Sequence, residues 1–117
     1  MRITIKSNLS RASIQEGSAF TVTAKFYDDA SDPWTLSAPT TIRYRVDNLS
    51  DGQSVLDWTT VSAASSASIV ITGAQNALQN QDTQWETHEL TVQANSGLST
   101  QYSEKYRWKI INILGIT

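Results

Sequence analysis

The side chains best suited to acid–base chemistry in this 117-residue chain lie around its one histidine, His88, with Glu86 and Glu89 close by. A histidine beside a carboxylate can act as a general base, but it needs a nucleophile that converges on the same point. Nothing in the sequence distinguishes any serine as that nucleophile. His88 also lies two positions before Leu90, on the inward face of an expected strand. The pattern therefore predicts a partly buried structural histidine and no enzymatic activity.

A second group of reactive side chains is an acidic loop that contains Asp28, Asp29 and Asp32. Closely spaced carboxylates suit a hard cation such as calcium, which takes several oxygen ligands. The spacing does not match an EF-hand loop, however, and no fourth acidic residue lies nearby in the sequence. Aspartate and proline are also ordinary turn residues because of their backbone preferences. We therefore expect a solvated loop without a metal or cofactor, and leave calcium binding as the alternative.

Basic residues on two expected strands could form a stripe that attracts an anionic partner. If both strands belong to one immunoglobulin-type sheet, the strand between them presents Glu89 on the same outer face. Cross-strand ion pairs would then explain the set without a ligand. The formal charge of the chain is only −2, so we predict neither a nucleic-acid nor a membrane partner. The stripe consists of Arg43, Arg45, Lys105, Arg107 and Lys109.

Tryptophan is abundant in this chain, with four copies. Trp108 falls on the inward face of a strand, and Trp58 is expected in the core or over a sheet edge. Trp34 follows a proline in a loop, and Trp85 stands at the head of a strand. Exposed tryptophans are common hot spots of protein contacts. Trp34 and Trp85 are therefore candidate interface anchors.

The last residues of the chain are unusually apolar for a terminus. Ile111, Ile113, Leu114 and Ile116 follow one another so closely that a strand could not bury them all on one side. We predict that this segment docks on a neighbouring subunit, by apolar burial that strand addition would reinforce. The alternative is a tail that folds back and closes the end of its own domain.

The elements that must position these side chains are strands. The stretch SAFTVTAKFYD alternates apolar and polar residues with a period of two, which is typical of a half-buried strand. TTIRYRVDN repeats that pattern, and a turn at SDG leads into QSVLDWTTV to form a hairpin. Three further strands are predicted in ASIVITG, LTVQA and SEKYRWKI. The spacing in GAQNALQNQ predicts one short helical turn between two of these strands.

These elements define the expected fold. With a weak N-terminal strand around residues 2–6 or 11–14, the chain has about seven strands, which favours an antiparallel sandwich of immunoglobulin type. We predict a single all-β, immunoglobulin-like domain over residues 1–117. The chain has no cysteine for a disulfide, and its start has no continuous apolar signal region. We therefore expect folding in a cytosol.

Three stretches together resemble a known group of proteins. They are EGSAFTVTAKFYDD with the loop and TTIRYRVDN after it, the run ASIVITGAQNALQNQ, and the ending YRWKIINILGI. They resemble small virion proteins of tailed bacteriophages with an immunoglobulin-like or fibronectin type III-like sandwich, over residues 12–117. The resemblance implies a structural or accessory virion protein, as capsid decoration or as part of the head-to-tail neck. It brings no active-site residues.

The same resemblance implies a location and partners. The protein would be assembled into the virion in the host cytoplasm, as a homo-oligomer or in many copies, against capsid, portal, neck or tail subunits. An alternative is a tail-associated receptor- or carbohydrate-binding module in which Trp34 or Trp85 stacks on sugar rings. A hydrolase is a third possibility, which the missing acid–base constellation disfavours.

Overall fold

The computed structural model describes residues 1–30, 32–80 and 82–112, which contain nine β-strands and no helix. In these ranges no segment could cross a membrane as a helix. The strands are β1 (Arg2–Ser7), β2 (Ser13–Gln15), β3 (Phe20–Asp28), β4 (Thr35–Leu36), β5 (Ile42–Asn48), β6 (Ser54–Val61), β7 (Ser66–Ile71), β8 (Trp85–Ala94) and β9 (Tyr102–Ile111).

The strands form two sheets. In the smaller sheet β1, β4 and β7 all pair antiparallel with β3. In the larger sheet the order is β2-β9-β8-β5-β6, with β2 parallel to β9 and the other pairs antiparallel. We call these the four-stranded and the five-stranded sheet. The all-β prediction is confirmed at this level.

The core lies between the sheets, where the alternating patterns place it. On β3 the residues Phe20, Val22, Ala24 and Phe26 are all buried, as their period of two predicts. Trp108 of β9 is 1% exposed, and its ring meets that of Phe20 edge-on at 5.1 Å between centroids. The inward position predicted for Trp108 is therefore confirmed.

The strand count and the sheet type differ from the prediction. Both N-terminal segments that were alternatives for one strand form strands, β1 in the four-stranded sheet and β2 in the five-stranded sheet. β2 has three residues and β4 has two, which is too short for an alternating pattern to be recognised. The parallel pairing of β2 with β9 makes the larger sheet mixed rather than antiparallel. The assignment of residues 1–117 to one domain stays a prediction.

The helical turn predicted in GAQNALQNQ is wrong, because turns replace it. Asn76 N–H donates to the Thr72 carbonyl at 3.1 Å, but the turn does not continue as a helix. The N–H groups of Gln79 and Asn80 donate to the Glu86 carboxylate instead of to carbonyls four residues earlier. The Glu86 side chain, which belongs to the next strand, therefore accepts hydrogen bonds from two N–H groups that would donate to carbonyls in a helix.

Candidate interaction surface

The basic residues lie together on the outer face of the five-stranded sheet. Residues that face each other across neighbouring strands point to the same side of a sheet, and the register aligns Arg43 with Gln93 and Glu89 with Arg107. On β5, β8 and β9 the outward positions hold five cations and two carboxylates. We call this surface the cationic face; its charged residues are Arg43, Arg45, Asp47, Glu89, Lys105, Arg107 and Lys109.

Three of the five cations form ion pairs. Arg107 Nε lies 2.6 Å from one Glu89 oxygen, and Lys105 Nζ lies 3.3 Å from the other. Arg45 pairs with Asp47 on its own strand at 2.8 Å, and this contact raises the pKa of Arg45. The predicted cross-strand pairing to Glu89 is therefore confirmed for Lys105 and Arg107. Lys105 and Arg107 are more than half exposed, whereas the Glu89 carboxylate that they share is buried and needs these cations as its counter-charges.

The other two cations, Arg43 and Lys109, have no carboxylate within ion-pair distance in the described part of the chain. The Arg43 guanidinium lies 4.0 Å from the centroid of the Trp58 ring, and its Nε donates to Gln93 at 2.6 Å. Lys109 Nζ lies 5.3 Å from the centroid of Trp85. Cation–π contacts thus hold both charges, together with the Gln93 hydrogen bond in the case of Arg43.

Trp85 and Ile111 extend this surface with apolar area. They are cross-strand partners at one end of β8 and β9, and they are 49% and 39% exposed. Lys109 lies against Trp85, so the apolar pair adjoins the cations directly. The structure therefore brings two predicted interface residues together. The other predicted residues of this segment, Ile113, Leu114 and Ile116, lie outside the described residues.

Trp34 lies elsewhere. Its ring is 6.2 Å from that of Tyr27, and the Arg2 guanidinium lies 5.9 Å from its centroid. Arg2 also contacts Tyr102, the first residue of β9, whereas Trp85 pairs with the last residue of that strand. Trp34 is 49% exposed but stands at the opposite end of the molecule from Trp85. The structure does not join the two tryptophans into one site.

Part of the negative charge of the acidic loop is neutralised by ion pairs within the protein. Asp29 pairs with the N-terminal amine at 2.9 Å and with Arg2 at 3.1 Å. The hydrogen bond from the amine lowers the pKa of Asp29, and the charge of Arg2 acts in the same direction. Asp28 accepts the N–H of Ala30 at 2.9 Å in a local turn. Among the described residues no three His, Cys, Asp or Glu side chains are grouped in a way that could hold a metal ion.

His88 and Glu86 lie inside the protein rather than in a cleft. Their exposed fractions are 0% and 1%, and His88 Nε2 lies 3.2 Å from a Glu86 oxygen. Glu86 also accepts the N–H groups of Gln79 and Asn80, at 3.0 and 2.7 Å. His88 packs edge-on against Trp108. Their positions suit a structural role.

This burial predicts that stability depends on pH. Desolvation lowers the pKa of His88 below the ordinary value of 6.5, although the Glu86 contact opposes the shift. The unfolded chain therefore takes up a proton before the folded one does, so stability falls as the pH drops below about 6.5. The slope from this one group is at most about 1.4 kcal/mol per pH unit.

Chemical denaturation from about pH 7.5 to about pH 5 measures this slope. His88→Gln is expected to lose this part of the pH dependence. Identical pH profiles for the two proteins would contradict the assignment to His88.

Comparisons with known proteins add one structural likeness. No family model matches the sequence, and no curated protein is similar to it. A conjugative transposon lipoprotein from Bacteroides eggerthii has a similar solved structure, with 13% sequence identity and a TM-score of 0.47. The match covers 91% of this chain and 95% of that one. A likeness at this level carries no argument about the function of this chain.

The identification with phage virion proteins is wrong: no family model and no curated protein supports it, and the similar solved structure named above is not a phage protein. The predicted role in capsid decoration or the neck, the tail-associated alternative and the virion location are corrected with it. The physical reason is that short alternating strands separated by turn residues indicate only a β-sandwich core. Many unrelated proteins have such a core. The three stretches that carried the resemblance are of that kind.

Proposed function

We propose that this chain is a non-catalytic binding domain that recognises an acidic protein partner on its cationic face. One observation carries the proposal. Arg43 and Lys109 have no carboxylate partner in the described structure, yet each is held over an indole ring. On this face β5, β8 and β9 carry five cations and two carboxylates, and Asp57 of β6 adds a carboxylate that acts on Arg45. The whole chain has a formal charge of −2, so this face has an excess of positive charge on a slightly negative protein. A partner with carboxylates would complete it.

We also propose that the fold is of immunoglobulin type. This is a more specific assignment than a β-protein with two sheets. Its support is the connectivity. β1 and β2 divide the N-terminal segment between the sheets, β3 pairs with β7, and β5 lies between β6 and β8. β8 and β9 form a hairpin beside β5. This arrangement divides the strands as in immunoglobulin-type sandwiches, with β1, β3 and β7 in one sheet and β5, β8 and β9 in the other.

A protein partner fits this face better than a nucleic acid does. Single-stranded nucleic acids stack successive bases on several open aromatic rings, whereas on this face Arg43 and Arg45 both lie over Trp58, and the exposed Trp85 stands at one end of its strand. The exposed pair of Trp85 and Ile111 supplies apolar area of the kind found in protein hot spots. The predicted self-association is not part of this proposal, because two cationic faces would repel each other.

The spacing on β9 suggests the form of the acidic segment. Lys105, Arg107 and Lys109 occupy alternate positions, which places them about 6.6–6.8 Å apart along the strand. An extended peptide with a carboxylate at every second position repeats at the same interval. We therefore infer an extended acidic segment as the partner.

Calorimetric titration with two peptides tests this function. The first carries glutamate at alternate positions between serines, and the second has the same composition with its glutamates in one block. We expect the alternating peptide to bind more tightly. The double variant Arg43→Gln/Lys109→Gln is expected to weaken its binding roughly tenfold, because two exposed charge contacts are lost. Lys25→Gln on the opposite sheet is the matched control and should bind like the unchanged protein.

Three results would overturn the proposal. The first is that Lys25→Gln weakens binding of the alternating peptide as much as the double variant does. The second is that the double variant binds this peptide as the unchanged protein does. The third is that a single-stranded oligothymidine of equal charge binds more tightly than the peptide. The last result would assign the cationic face to nucleic acid instead.

A further inference from the structure

The four-stranded sheet carries a groove on its own outer face, on the opposite side of the molecule from the cationic face. The groove has a volume of about 590 Å³ and runs along β1 and β3. Its outward side chains are hydroxyl groups and ammonium groups, with a phenol at one end. They belong to Thr4, Lys6, Thr21, Thr23, Lys25 and Tyr27.

The strand register arranges four of these side chains as a square. Thr4 faces Lys25 and Lys6 faces Thr23 across the antiparallel pair. The two ammonium groups therefore stand on one diagonal and the two hydroxyl groups on the other. Diagonal neighbours in such a pair are about 7–8 Å apart, which lies within reach of long side chains. All four side chains can thus converge on one point.

No group within the described protein neutralises this square. Lys6 and Lys25 form no ion pair there, and the hydroxyl groups of Thr4 and Thr23 make no hydrogen bond to protein atoms. Asp29, farther along the sheet, is already paired with Arg2 and the N-terminal amine. Like charges directly opposite each other destabilise a sheet, and the diagonal pair of Lys6 and Lys25 repels in the same way but more weakly. An anion between them would remove that repulsion.

We propose that Thr4, Lys6, Thr23 and Lys25 bind a tetrahedral oxyanion, phosphate or sulfate, either free or as an ester. Each ammonium group offers several donors and each hydroxyl group offers one, so donors reach the anion from four directions. A tetrahedral anion can accept from all four, whereas a planar carboxylate presents two oxygens. The groove continues past the square toward Thr21, which leaves room for the remainder of an ester. This site goes beyond the proposed function, because it lies on the other sheet and takes a different ligand.

The site is tested by following backbone amides by NMR while inorganic phosphate, sulfate or phenyl phosphate is added at constant ionic strength. We expect saturable shifts at the four residues of the square. Lys25→Gln and Lys6→Gln are each expected to weaken binding about tenfold, and Thr23→Val severalfold, since each removes donors. Lys109→Gln, which removes an ammonium group from the cationic face, is the matched control and should leave these shifts unchanged.

Phenyl phosphate separates the two possible sources of the anion. Tighter binding of the ester than of inorganic phosphate would mean that the groove holds an organic phosphate, and equal binding would mean a site for the free anion. The proposal is overturned if chloride alone produces the same shifts, or if Lys25→Gln and Lys6→Gln bind phosphate as the unchanged protein does. Its outcome is independent of the peptide titrations, because the variants expected to weaken binding lie on opposite sheets in the two experiments, and each experiment takes its control from the other sheet.

Discussion

Replacing Asn76 by alanine is expected to lower the free energy of unfolding by about 3 kcal/mol. Asn76 is fully buried at one end of the sandwich. Its amide oxygen accepts the Trp108 indole N–H at 2.8 Å, and its amide nitrogen donates to the Ser18 carbonyl at 2.7 Å. Alanine would leave the buried Trp108 N–H without a hydrogen bond, which costs roughly 1–3 kcal/mol. It would also remove the bond to the carbonyl of Ser18, an exposed residue, which contributes about 1 kcal/mol.

Urea denaturation measures this effect, with Asn8→Ala as the matched control. The Asn8 oxygen accepts one N–H, that of Thr21, at an exposed site, so its loss should cost less than about 1 kcal/mol. A double-mutant cycle with Trp108→Phe then isolates the bond between the two side chains. Strict additivity of the two variants would show that this bond does not couple the turn to the core.

Replacing Glu86 by alanine is expected to cost a similar amount, about 3 kcal/mol. The Glu86 carboxylate accepts two backbone N–H groups, those of Gln79 and Asn80, and also contacts His88. Alanine would leave the two N–H groups without their acceptor and empty the space under the 79–80 segment. The same variant should lower the pKa of His88 further, because the Glu86 contact now opposes the effect of burial.

Two measurements check the prediction for Glu86. Urea denaturation gives the loss of stability, with Glu104→Ala as the control, since Glu104 accepts one N–H at an exposed site. NMR titration of the His88 ring gives the direction of its pKa change. A loss no larger than that of Glu104→Ala, or a raised pKa of His88, would contradict the role assigned to Glu86.

Local pattern was sufficient for several of the strands. SAFTVTAKFYD and SEKYRWKI alternate with a period of two, and the buried faces of β3 and β9 are those the pattern predicts. The inward position of Trp108 follows from the same rule. Local spacing failed in GAQNALQNQ, because the helix signal there does not include Glu86, whose carboxylate takes two of the N–H groups.

The residues that surround each basic side chain are set by the register of strand pairing, which the sequence pattern does not show. All five look alike in the sequence, yet Glu89 faces Arg107 while Arg43 faces Gln93. The position of Trp58 also could not be predicted from the sequence alone, which placed it in the core or over a sheet edge. β6 has one more residue than β5 between the pairs Tyr44–Thr59 and Val46–Leu56. This bulge interrupts the alternation, and Trp58 lies under Arg43 and Arg45.

The sequence by itself determined that the chain is all-β, where most of its strands run and which face of each is buried. It could do so because side-chain alternation is a property of neighbouring residues. Tertiary structure alone decided that Lys6 meets Thr23, that Trp85 meets Ile111, and that Trp34 stands at the opposite end from both. Those residues are separated by many positions in the chain, and strand pairing sets which of them share a surface. For the same reason, a pattern of alternating strands identified the core but not the protein family.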